Sequence, residues 1–271
     1  MDQSFHLTNL AVGVMFLPLL AWEKATVDWA QVWKPIIMGF TFFAGTWLTF
    51  VGIRRGDVSL VTPIMGTKVV FVALGVVLLM GYSPSLPLWV AAFLTAGGIL
   101  LMGIADLKDG HHLVFTILIT LASAGMFGLC DVFVSAWSSD FGALTFLAIG
   151  SFCVALFSLV MWLFQGCPSL KMGKAQKPWA WWGAVLIGLQ AIGMGIALSF
   201  FDDATGINVV YASRGLWVIV LVVAFGRFLG NSEHRDKGSD FLWRVAGTVI
   251  LTIAIVIAVI DRAQAATAQI P

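Results

Sequence analysis

Apolar residues run through this chain in long blocks separated by short polar punctuation. A helix needs about 20 apolar residues to cross the ~30 Å hydrocarbon core of a bilayer. On that scale the sequence predicts nine spans: 7–22, 35–53, 58–80, 87–105, 113–136, 141–164, 179–201, 205–228 and 241–260. The connections are tight and carry turn chemistry, as in "RRGD", "GYSPSLP", "DLKDGHH" and "FFDDATG". None is long enough for a soluble domain. Trp22, Trp33, Trp89, Trp137, Trp162, Trp179 and Trp243 fall near span ends, where an amphipathic ring prefers to sit. Ala124-xxx-Gly128 and Ala191-xxx-Gly195 place small residues on one helical face, which suits close helix contact. The expected fold class is all-α, a polytopic membrane helix bundle of about nine transmembrane helices.

Composition agrees with the pattern. Of 271 residues 60% are hydrophobic and 11% charged, against about 25% charged in soluble chains, so no water-soluble surface could be made from them. Net charge is +1, which points to no nucleic-acid partner. Cys130, Cys153 and Cys167 lack paired or metal-type spacing and read as inert packing residues. The first apolar stretch has no basic n-region and no small-residue cleavage site, so it reads as a span rather than a signal peptide. Counted over alternating loops, Arg54, Arg55, Lys108, Lys171, Lys174, Lys177, Arg227, Arg235, Lys237 and Arg244 fall on one side, and Lys24, Lys34 and Arg262 on the other. The richer side is expected to be cytoplasmic, with the N-terminus inside and the C-terminus outside.

The chain also repeats itself. "GDVSLVTPIMGTKVVFV" (56–72) aligns with "DDATGINVVYASRGLWVIV" (202–220) at a constant offset of 146, pairing Asp57 with Asp203, Thr67 with Ser213, Lys68 with Arg214 and Phe71 with Trp217. Downstream, "LWVAAFLTAGGILLMGIAD" parallels "LWRVAGTVILTIAIVIAVID", and both close on an acid. An odd number of spans separates equivalent positions, so the two copies enter from opposite faces, the inverted topology of secondary transporters. Lys68 and Arg214 each lie about 15 Å into a span at 1.5 Å per residue, which brings both cations to the centre of the bilayer.

With "RRGDVSLVTPIMGTKVVFVAL", the short turn after it, "LPLWVAAFLTAGGILLMG" and their second-half counterparts, the chain resembles the drug/metabolite transporter superfamily, and within it an EamA-type permease. The resemblance implies ten helices as two inverted five-helix repeats around a cavity opened alternately to each side. On this reading residues 1–106 are an N-terminal repeat of about four spans and 107–271 a C-terminal repeat of five. "SFHLTNLAVGVMFLPLLAW" resembles the family's second helix, so the first is expected to be missing. "GYSPSLP" lacks the acid often found in relatives, and the family usually keeps both termini inside.

The candidate substrate-binding residues are Arg214, Lys68, Asp131, Tyr211, Trp217 and Trp47. Arg214 and Lys68 suit a carboxylate or phosphate, Arg through a bidentate fork and Lys as a point charge; the alternative is pairing with an acid or a carbonyl within the bundle. Asp131 is the one acid clearly inside a span, about six residues from its predicted end. It fits a counter-ion, a cation ligand, a protonatable coupling site or a partly wet interfacial residue. Trp47, Tyr211 and Trp217 lie in mid-span, as cavity aromatics or core. Asp57, Asp202 and Asp203 begin helices and suit capping. The four histidines lie in loops or at the chain start, and no metal site and no cofactor are expected.

The favoured function is a secondary membrane transporter for a small organic, anionic or zwitterionic, metabolite. Its partners would be that substrate and the lipid bilayer, with a homodimer compatible, and its location the cytoplasmic membrane. No G-x-x-x-x-G-K-[ST] loop is present, so nucleotide hydrolysis through a P-loop is not expected. The alternatives are a flippase for a lipid-linked substrate and a non-transporting scaffold or sensor subunit. A membrane enzyme fits less well, since one lone Asp supplies no nucleophile-and-base set.

Overall fold

The computed structural model describes residues 3–23, 27–55, 61, 64–103, 113–169, 172–201, 203–213 and 239–267. Among them all regular structure is helical: α1 (Gln3–Phe16), α2 (Trp33–Arg55), α3 (Lys68–Gly75), α4 (Leu86–Gly103), α5 (Leu113–Phe141), α6 (Ala143–Phe164), α7 (Lys177–Phe200), α8 (Ala204–Tyr211) and α9 (Ser239–Thr267). A 3₁₀ stretch, Leu17–Trp22, prolongs α1, and a π turn, Val76–Met80, prolongs α3. Six helices among the described residues are long and apolar enough to cross a membrane. The architecture is all-α and polytopic.

Several boundaries differ from the sequence reading. The first span begins at Gln3 rather than residue 7, so His6 and Asn9 lie on a helix and are buried. Helix α5 continues five residues past 136, because Ser138, Ser139 and Asp140, which lie between the predicted spans, stay helical, and Ser138 is fully buried. The predicted span 58–80 is interrupted by a turn at Gly66–Thr67. Of the predicted span 205–228, α8 ends at Tyr211, Ala212 and Ser213 form a turn, and the rest lies outside the described residues.

The chain divides into two compact units. Unit 1 comprises Met1–Phe50 and Met126–Asp203, and unit 2 comprises Val51–Gly125 and Ala204–Pro271. Each draws helices from both halves of the sequence.

In unit 1, α1 packs on α6 and α7. Lipid tails are as apolar as leucine, so such contacts depend on close approach through small residues. A Cβ at Gly13 would lie 2.5 Å from that of Ala155, one at Gly188 would overlap Met15, and one at Gly39 would overlap the Gly150 carbonyl. Phe5 meets Phe43 and Phe50 at 5.8 and 5.4 Å between ring centroids, and Phe157 meets Phe40 and Phe43 at 5.8 Å. Helices α5 and α6 are joined by Gly142 alone, at φ 101°, where a side chain would be strained. The α6 N-terminus is capped from a distance: the Leu144 and Thr145 N–H groups donate to Glu23 Oε2 at 2.8 and 3.2 Å. A carboxylate there satisfies orphan donors and suits the positive helix end.

In unit 2 the closest pair is α4 and α9. A Cβ at Gly98 would stand 2.9 Å from the Gly247 carbonyl oxygen. Around this seam Val69, Ala73, Leu88, Ala91, Ala92, Val209, Ala254 and Ala258 form one buried cluster. The Ser85 hydroxyl donates to Asp261 Oδ2 at 2.8 Å, tying the start of α4 to α9.

Candidate functional site

Lys68 owes its position to the break before it. The Thr67 amide and hydroxyl both donate to the Ile64 carbonyl, at 3.0 and 2.7 Å, so the chain tightens into a three-residue turn. Gly66 permits this against α4, since a Cβ there would lie 2.6 Å from Ile99 Cγ2. Lys68 then opens α3, a new helix N-terminus inside an apolar span. The unsatisfied N–H groups of such an end carry partial positive charge and favour anions. A lysine at the same point adds a full charge.

The Lys68 ammonium sits 5.5 Å from the centroid of the Tyr211 ring, within the range of a cation–π contact. Tyr211 is the last residue of α8. Beyond it the chain also tightens, with the Ser213 amide donating to the Val210 carbonyl at 2.9 Å. At the repeat offset this second turn, Ala212–Ser213, corresponds to Gly66–Thr67. Helix α3, which follows the first turn, and α8, which precedes the second, pack against each other within unit 2.

One and two turns earlier on α8 are two polar residues that the sequence reading passed over. Asn208 and Thr205 are 1% and 2% exposed. Asn208 Nδ2 donates to the Ala204 carbonyl at 2.9 Å, while Asn208 Oδ1 and Thr205 Oγ1 have no hydrogen-bond partner among the described residues. The available signal was an asparagine in an apolar run, three positions before Tyr211. By helical spacing Asn208 lies on the Tyr211 side of α8.

Of the six predicted site residues, Lys68 and Tyr211 come together. Arg214 and Trp217 lie outside the described residues, as do the proposed caps Asp57 and Asp202. Asp203 is buried and directly precedes α8. Asp131 and Trp47 belong to unit 1. Asp131 is 7% exposed and lies ten residues, about 15 Å, from the end of α5. That is deeper than the six residues expected, because α5 is longer. Trp47 is not enclosed: it is 37% exposed and shares the outward side of α2 with Ile36 and Phe40, while Met38, Gly39, Thr41, Gly45 and Thr46 form the buried side. His6, also missed, is buried in α1 with Nδ1 hydrogen-bonded to Ser158 Oγ at 2.9 Å. Among the described residues no group of three or more His, Cys, Asp or Glu side chains is placed to hold a metal ion.

Residues 4–104 match the model of the EamA-like transporter family. The match covers less than half of the chain. Members of that family are transporters rather than enzymes, and the apolar helices make the chain a multi-pass integral membrane protein. No curated protein matches the sequence. A solved crystal structure is similar with TM-score 0.71 at 15% identity, covering 95% of this chain and 88% of that one; at that identity the likeness is one of fold.

Proposed function

We propose that the protein is a secondary transporter of the cytoplasmic membrane that moves a small organic anion or zwitterion by alternating access, with two inverted repeats supplying the halves of its site. The observation that carries this reading is the broken span at Gly66–Thr67. It sets Lys68 on a helix N-terminus in an otherwise apolar segment, against Tyr211 at the end of α8. Broken helices whose N-terminal ends face anionic substrate groups are the usual construction of transporter sites near the bilayer midplane. A charge kept in an apolar span costs several kcal/mol, a cost that binding an anion offsets. Arg214, the repeat partner of Lys68, is assigned the same role from the opposite side.

The test is a thermal-shift screen of small carboxylates, phosphates and zwitterions on the purified protein, since a ligand of the folded state raises its melting temperature. For each hit, Lys68→Ala and Arg214→Ala are expected to weaken binding by about 10- to 100-fold, the worth of one charge-assisted hydrogen bond. Variants that fold and bind every hit like the wild type would overturn the assignment.

A further inference from the structure

Helix α7 carries an amide where a lipid-facing helix is expected to be apolar. Gln190 is exposed and has no hydrogen-bond partner among the described residues. It lies about 20 Å from the Lys177 end of α7 and about 15 Å from the Phe200 end, at 1.5 Å per residue. That is close to the centre of the hydrocarbon, too deep for the side chain to reach either headgroup layer. Among the described residues one other polar side chain is exposed in mid-helix, Thr252 of α9. Its hydroxyl donates to the Thr248 carbonyl of its own helix at 2.8 Å. The outward side of the neighbouring α6 is Phe152, Leu156, Leu159 and Leu163, which lipid tails satisfy. An amide with its donors and acceptor unmatched in hydrocarbon is costly, and in membranes such side chains bond across helices.

The surroundings of Gln190 fit a second helix. A Cβ at Gly188 would overlap Met15 and one at Gly195 would touch Leu147, so packing within unit 1 accounts for those two glycines. A Cβ at Gly183 or Gly193 would meet nothing within 4 Å. Both belong to the Gln190 side of the helix, together with Leu186, which is 61% exposed. Gly183, Leu186, Gln190, Gly193 and Ala197 follow one another at spacings of three, four, three and four. This rhythm makes a narrow seam between paired helices, in which one polar residue fixes register and partner number. Small residues in the seam let two backbones approach closely.

We infer that two copies of this chain associate through α7, with this seam as the interface and the two Gln190 amides hydrogen-bonded to each other. The amide is complementary to itself, since its NH₂ donates to the carbonyl oxygen of an identical group and its own oxygen accepts in return. Copies inserted the same way round are related by a two-fold axis along the membrane normal, which sets equal depths opposite each other. Gln190 therefore meets Gln190. A partner with no polar group at that depth would leave the amide unmatched. The interface goes beyond the proposed transport function and does not involve Lys68 or Arg214.

The experiment uses the full-length chain with its exposed Cys167 replaced by serine. Single cysteines are placed in the seam at Leu186 or Ala197, or on the outward side of α6 at Leu159 as a control. Gel filtration and melting temperature establish that each variant is folded, and two seam positions guard against the loss of one. After reconstitution in vesicles and mild oxidation, Leu186→Cys and Ala197→Cys are expected to form disulfide-linked dimers. The Leu159→Cys and cysteine-free seam proteins are expected to stay monomeric on the gel. Energy transfer between donor- and acceptor-tagged copies, followed as lipid dilutes them, reads the affinity. Gln190→Leu should weaken association about 3- to 30-fold, the range of interhelical hydrogen bonds in membranes, and Gln190→Asn should keep most of it. Seam cysteines that fail to cross-link, a Leu159→Cys control that links as fast, or Gln190→Leu copies that associate like wild type would each overturn the interface. So would a product in native membranes whose mass is not twice that of the chain, which would give the seam to another protein. Labelling of Gln190→Cys by a membrane-impermeant maleimide would place the amide in water and overturn it too. None of these results bears on ligand binding at Lys68, so the two proposals fail separately.

Discussion

Unit 1 and unit 2 solve the membrane problem differently. In unit 1 the helices α6 and α7 run unbroken for 22 and 24 residues, and Gly39 of α2 comes so close to the Gly150 carbonyl of α6 that an added carbon would overlap it. In unit 2 the described helices α3 and α8 are eight residues each, and both adjoin a turn at the same repeat position. Continuous helices satisfy every backbone group internally, which the hydrocarbon demands. A break gives that up locally and is tolerated where protein or a polar cavity surrounds it. Lys68 is found at such a break. The comparison teaches that unit 2 gains polar helix ends at the cost of regularity, while unit 1 keeps unbroken helices in close contact.

Mutations that sharpen this contrast fall into an order of size. The largest stability loss is expected from Gly39→Leu, whose side chain would overlap the Gly150 backbone with no flexible neighbour to yield. About 3 kcal/mol, the upper part of the overpacking range, should appear as a lowered midpoint in thermal unfolding of the purified protein. A loss below that expected for a surface change would show that unit 1 is not held by close backbone approach. Next is Glu23→Gln, which keeps the acceptor but removes the charge at the α6 N-terminus; Glu23→Ala removes both and should cost about 1 kcal/mol, as cap deletions do. Tyr211→Leu is expected to leave stability nearly intact but weaken ligand binding by a few-fold. That is the worth of a cation–π contact near 1 kcal/mol, and Tyr211→Phe should retain most of it in the same titration. The smallest effect belongs to Trp47→Leu, which should change both unfolding and binding by less than about 0.5 kcal/mol, the range of exposed substitutions. A large binding defect there would return Trp47 to the site.

Much of the fold was legible because the dominant signal, apolar length, is local. Trp33 and Trp179 do stand in the first turns of α2 and α7, and Trp162 in the last turn of α6. The misreadings came where a polar residue meant something other than an end. Ser138, Ser139 and Asp140 fell between two predicted spans and are helix, with Ser138 fully buried. That error placed Asp131 too near the surface. Conversely, Gly66 and Thr67 sit in an apolar run and gave no sign of a break, because the close approach of Ile99 that requires glycine is a tertiary fact. Glu23 was invisible as a cap for the same reason, its partners lying more than a hundred residues away. Of the candidate site, Lys68 and Tyr211 were each singled out in the sequence, but the repeat paired Lys68 with Arg214 and gave no sign of their contact, and Asn208 and Thr205 were hidden by their apolar company.

The turn ahead of Lys68 has a mechanical corollary. From Lys68 to Met80 the chain forms one short apolar rod, about 20 Å long at 1.5 Å per residue. Pivoting by about 10° at Gly66–Thr67, a modest excursion for a hinge, would swing the Met80 end through roughly 3 Å yet leave the ammonium almost stationary. A fulcrum at the charge makes Lys68 the still point of a lever whose free tip does the travelling.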